Sequence, residues 1–247
     1  MDACEFPASI DDPRVTRQFC RRLPGADGDV TLLGVVHDHP ASVGRVERVL
    51  EVVDPETVAL ELPPAAVPLY EAYARDAATQ SAPPRFGGEM SAAIRAAPDA
   101  EVVGIDAPNW SFLRRLLTRL VADRASAETA RRVVSSLGAA SREALTCRIA
   151  ATVTNATSMT VARDEHEPIE YDCDHDDPPE RQAAHERSHV AGVRALLGGV
   201  DDGALAYRDD TREECMVDRL ETLRHEAGDV VAVVGIDHLE TIADELA

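Results

Sequence analysis

Two segments of the chain end alike. Gly34-Val35-Val36-His37 closes one Val-rich run, and Gly235-Ile236-Asp237-His238 closes another near the far end of the sequence. With 8 His and 14 Gly in 247 residues, one such glycine–histidine spacing carries little information. Two that each finish an apolar run carry much more. Glycine gives the chain room to turn off a strand or lets a ligand approach the backbone. Glu61 interrupts a third apolar run, Val58 to Leu62, and Asp106 ends a fourth, Gly104-Ile105-Asp106. A carboxylate in such a run is costly to bury alone, and cheap to bury against a metal, an Arg or a His. Two imidazoles and one carboxylate, here His37, His238 and Glu61, suit a borderline divalent metal. Three protein ligands leave a position open for water, whose pKa then falls toward about 7, so that it becomes a nucleophile at neutral pH. A plainer account also fits: both histidines satisfied within turns, and Glu61 paired with an arginine.

A second constellation competes. His185-Glu186-Arg187-Ser188-His189 spells HExxH, in which two histidines one helical turn apart bind zinc and the glutamate acts as base. Glu213 or Glu214 would supply a third ligand, with Asp218 behind it. Arg187 stands where such helices usually carry no charge. His185 and His189 share a helical face with Val193 and Leu196, so packing over the strand edge is the alternative. His39 is a further candidate for the His37 site, and Cys173-Asp174-His175 is a weaker metal-binding candidate in an acidic loop.

These residues need elements to position them. Four near-continuous apolar runs, Val30–Val36, Thr57–Leu62, Ala100–Ile105 and Asp229–Ile236, read as strands buried on both faces. Helical spacing over Ser42–Val53, stopped by Pro55, and over Glu89–Ala97 separates them. The N-terminal VTRQFCRRL, PGADGD and VTLLG read as a hairpin. Helices are expected over about Pro179–Leu197 and Asp209–Glu226. The chain from Trp110 to about Leu197 shows no strand and is broken by Gly138 and the acidic, proline-bearing loop 162–180, which is expected to be exposed. The fold class is therefore α/β: a mainly parallel central sheet flanked by helices, within a single domain, 1–247. A helical insertion, roughly 109–200, covers the C-terminal edge of the strands. Ligands bind at that edge in such sheets.

Composition bounds the rest. Acidic residues outnumber basic ones 45 to 25, for a net charge of -20, and every basic residue is Arg. Such a surface repels nucleic acid and anionic membranes. Abundant carboxylates without Lys suit a salt-rich, halophilic cytoplasm. Five cysteines, with no CxxC, do not form a disulfide framework. No signal-like segment and no apolar run of about 18 residues is present, so a cytoplasmic protein with no membrane partner is expected. The sequence leaves the oligomeric state open.

The segments LLGVVHDHPAS, PETVALEL, GGEMSAAIRAA, VVGIDAP, TREECMVDRL and VVAVVGIDHL, taken in order, resemble the TraB/PrgY family, related to the TIKI metalloproteases and more distantly to the ChaN and erythromycin-esterase-like group. The resemblance spans most of the chain. It implies His37 and His238 from the paired motifs, with Glu61, as metal ligands for Mn or Co, and assigns Glu89, Asp106 and Arg212 to further family positions. On it, Glu89 or Asp106 takes the proton from bound water, and Glu61 and Glu89 are open to exchanging roles. Arg212 fixes a carboxylate or stabilises the oxyanion. The implied activity is metal-dependent hydrolysis, with a peptide or small molecule as substrate. The sequence departs from the family at Val35, where a smaller residue or Thr is usual, at Ala107-Pro108, in place of Arg, and in having no C-terminal membrane segment. Besides this hydrolase, the HExxH zinc peptidase and a non-catalytic ligand-binding or regulatory protein remain open at this level.

Overall fold

A computed structural model describes residues 9–75, 84–106, 115, 118, 146–147, 150–151, 170–197 and 203–247. The five strands are β1 (Cys20–Leu23), β2 (Val30–Val35), β3 (Thr57–Leu60), β4 (Glu101–Gly104) and β5 (Val230–Gly235). They form one sheet in the order β1-β2-β5-β3-β4. β1 and β2 make the antiparallel hairpin expected from the sequence; β2, β5, β3 and β4 are parallel neighbours. Around them lie α1 (Pro40–Val53), α2 (Val67–Arg75), α3 (Gly88–Ala96), α4 (Pro179–Leu197), α5 (Gly203–Ala227) and α6 (Leu239–Leu246). The α/β class and the mainly parallel sheet are as the apolar runs predict. α2 was not foreseen, and α5 begins earlier than expected. Trp110, Gly138 and most of the anticipated insertion fall outside the described residues.

Alternation along the strands divides the core. Leu33, Val35, Val58, Leu60, Val231 and Val233 face one layer, with Val46, Val49 and Leu50 of α1 and Met90 and Ala93 of α3. Val30, Leu32, Ala59, Val230, Ala232 and Val234 face the other, against Met216 and Leu220 of α5 and Leu239 and Ile242 of α6. Both faces are covered, which is why the runs read as continuously apolar. α1 starts at His39, whose side chain accepts from the Ala41 amide, with Pro40 in the first turn where no N–H is missed. It ends at Asp54 in the left-handed region, φ 47°, just before Pro55. Among the described residues no helix is long and apolar enough to cross a membrane.

The strand order has one consequence for the site. β5, last in sequence, is inserted between β2 and β3. Its pairing sets Val35 opposite Gly235 and Leu60 opposite Val233. The chain therefore delivers His37, His238, Glu61 and Asp106 side by side, in that spatial order, along a single edge of the sheet.

Candidate functional site at the strand ends

Each glycine–histidine histidine is gripped from behind by a glutamate. His37 Nδ1 lies 2.6 Å from Glu89 Oε1, and the other Glu89 oxygen accepts from the Asp38 amide at 2.9 Å. Glu89 is buried in the first turn of α3, while the His37 side chain is 65% exposed at the rim. The bond and charge of Glu89 raise the His37 pKa to about 9. His238 Nδ1 lies 2.7 Å from Glu213 Oε1 of α5. Burial alone would lower the His238 pKa, but the Glu213 bond and the Glu61 charge outweigh it, and the value is raised. In both histidines Nδ1 is taken by a carboxylate, which leaves Nε2 for a ligand.

Glu61 occupies the middle of the edge. One of its oxygens accepts from the Gly235 amide at 2.6 Å; the other accepts from Arg212 at 2.8 Å and lies 3.5 Å from His238 Nε2. A side chain at Gly235 would pack against both Glu61 and His238. Arg212 also binds Asp106 through two bonds, of 2.9 and 2.8 Å. Burial opposes the Arg212 charge, yet its carboxylate partners hold its pKa above the usual range. Arg212 thus fixes two carboxylates, one of the two roles read for it from sequence. Asp106 is tied to the guanidinium, and Glu89 has both oxygens engaged. Both carboxylates lie behind the rim, hydrogen-bonded to the groups that line it.

The glycines at the two strand ends differ. Gly34 makes room for Ile236 and Leu239, which would collide with a Cβ there, so it serves packing between β2 and α6. Gly88, at φ 42°, admits the Asp38 carboxylate beside the backbone. Glu213 was anticipated only as a zinc ligand for the HExxH helix. Its place one residue after Arg212, on a helix aimed at the strand ends, was the available signal.

The HExxH reading is corrected by its own glutamate. Glu186 is fully buried and accepts from Arg45 through both oxygens, at 2.9 and 2.6 Å, and from the Ser42 hydroxyl at 2.6 Å. It is the counter-ion of a buried arginine stacked on Phe19 and has no oxygen left to activate water. Glu213, the supposed third ligand, belongs to His238. His185 instead joins His39 and Cys173. Its Nδ1 is 2.9 Å from His39 Nε2, and the Cys173 sulfur is 3.8 Å from the same nitrogen. Among the described residues, this is the group of three His, Cys, Asp or Glu whose ligand atoms all lie within 4.8 Å of one another, and it could hold a metal ion. His37, Glu61 and His238 do not draw that close together. Loop 170–178 is thus not wholly a surface feature: Asp174, His175 and Asp176 are exposed, but Cys173 is buried.

Comparison with protein-family models, curated proteins and solved structures returns no match.

Proposed function

We propose that this chain is a metal-dependent hydrolase of the TraB/TIKI type, acting on peptides at the strand-end edge. One observation carries the reading: two imidazoles, each oriented through Nδ1 by a glutamate, and a carboxylate end three adjacent parallel strands, with His238 between His37 and Glu61. Carboxylate-backed histidines are the usual supports of catalytic metals. Within this set, the pair His238 and Glu61 is spaced for such a cation. The 3.5 Å between His238 Nε2 and Glu61 Oε1 equals the edge that two ligands at about 2.0–2.2 Å from one ion would span.

His238 and Glu61 would hold the ion, with His37 swinging in from the rim to complete the set, and a cation so held would supply a water of lowered pKa and polarise the scissile carbonyl. The protein's own groups do the rest. Glu89 and Glu213 set the ring orientations. Arg212 holds Glu61 and Asp106 in place, so that the edge keeps its carboxylates aimed without mutual repulsion. Because Glu89 favours a protonated His37, a cation must displace that proton, and affinity weakens as the pH falls.

The test is hydrolysis of a mixed peptide library by metal-stripped protein reloaded with Mn(II), Co(II) or Zn(II), compared with His238→Ala and Glu61→Gln. Either variant should bind one metal equivalent fewer and lose activity by about 100-fold or more. Hydrolysis unaffected by chelator, or unchanged metal content in both folded variants, would overturn the assignment.

A further inference from the structure

The HExxH helix retains two histidines after Glu186 is withdrawn from catalysis, and one of them has found new partners. His39 is fully buried at the N-terminus of α1, His185 comes from α4, and Cys173 comes from the segment leading into α4. His39 and His185 are stacked with ring centroids 5.2 Å apart, and His189, one turn further along α4, lies 6.4 Å from His39. Two imidazoles and a thiolate form a donor set that prefers soft or borderline cations, zinc above calcium or magnesium. The separations, 2.9 Å N to N and 3.8 Å N to S, each lie within about half an ångström of the corresponding edges of a tetrahedral zinc site built from bonds of about 2.0–2.1 and 2.3 Å.

We propose that His39, Cys173 and His185 form a second, structural metal site of the zinc class, which clamps loop 170–178 onto the start of α1. Binding is balanced within the cluster. The Cys173 thiol proton leaves to solvent as the sulfur–metal bond forms. The His39 ring proton moves from Nε2 to Nδ1, and the Ala41 amide gives up that acceptor to become one of the open N–H groups of a helix start. The clamp bears on the strand-end edge because the Tyr171 hydroxyl, two residues before Cys173, donates to the His37 carbonyl at 2.8 Å. The cation thus anchors a segment that touches the candidate site without contributing to it. This inference is independent of the hydrolase reading.

Cobalt distinguishes the two sites, since the strand-end edge offers no thiolate. Titrating the metal-stripped full-length protein with Co(II) should raise a sulfur-to-cobalt charge-transfer band that saturates at one equivalent per chain. Cys173→Ser, a near-isosteric change, should remove the band. His185→Ala should weaken cobalt affinity at this band about tenfold or more. His238→Ala should leave the band intact while removing any other equivalent, so the two proposals can fail separately. Absence of the band in the wild-type protein, or its survival in Cys173→Ser, would overturn the second site.

Discussion

Glu186 is the carboxylate that an HExxH helix would offer as a base, yet Arg45 and Ser42 occupy it where no solvent reaches. Both partners of the ion pair are fully buried, so removing one leaves an uncompensated charge in the core. Glu186→Gln should therefore cost about 3–5 kcal/mol, seen as a drop of roughly 10 °C in thermal midpoint. The activity of the fraction that folds should be retained, measured per folded molecule under conditions that favour folding. A collapse of activity in that fraction with stability unchanged would restore the catalytic role. Residue type alone could not separate these outcomes. The zinc-peptidase spelling is present in full, and what overrides it is an arginine 141 positions away.

At the scale of elements, the start of α1 carries an unusual burden. His39 caps the helix through Nδ1, meets His185 through Nε2, and lies fully buried. Burial lowers its pKa from the ordinary 6.5 to about 4. A histidine whose folded pKa is depressed binds its proton more readily in the unfolded chain, so the stability it contributes is complete above pH 6.5 and is lost as the pH falls toward 4. His39→Asn keeps a side-chain acceptor for the Ala41 amide and removes the titration. In chelator-treated protein, the thermal midpoint of this variant should fall less than that of the wild type across that window. Parallel curves for the two proteins would show that His39 does not titrate there. The spacing of Val43, Val46, Val49 and Leu50, together with Pro55, was enough to locate α1. Its cap was not legible, because histidine is a rare cap and the need for it depends on what α4 brings opposite.

Across the whole molecule, charge is the dominant feature. A net charge of -20 with no Lys makes compaction work against self-repulsion. Raising the ionic strength from about 0.1 M to about 1 M shortens the Debye length from about 10 Å to about 3 Å and should relieve that repulsion. The thermal midpoint should therefore climb steadily with KCl over this range, as followed by circular dichroism. A flat or falling curve would count against a protein suited to a salt-rich interior. Partly shielded ion pairs, such as Arg95 of α3 with Glu47 of α1 and Arg22 with Asp29 across the β1–β2 turn, should keep the fold together as surface charges are screened.

Of the four apolar strands, three are buried on both faces and the fourth, β4, is a partly exposed edge strand. By itself the sequence determined that the four lie parallel, and that His37, Glu61, Asp106 and His238 end them. Those facts follow from apolar runs and their punctuation, which are local. Only the tertiary structure decided that the last strand slips between the first and second parallel strands, which sets His238 beside Glu61. It also decided which glutamate backs which imidazole, and that His185 turns to His39 instead of serving Glu186. Pairings of this kind depend on strand order and on side chains far apart in the chain, and hydrophobic periodicity carries no record of either.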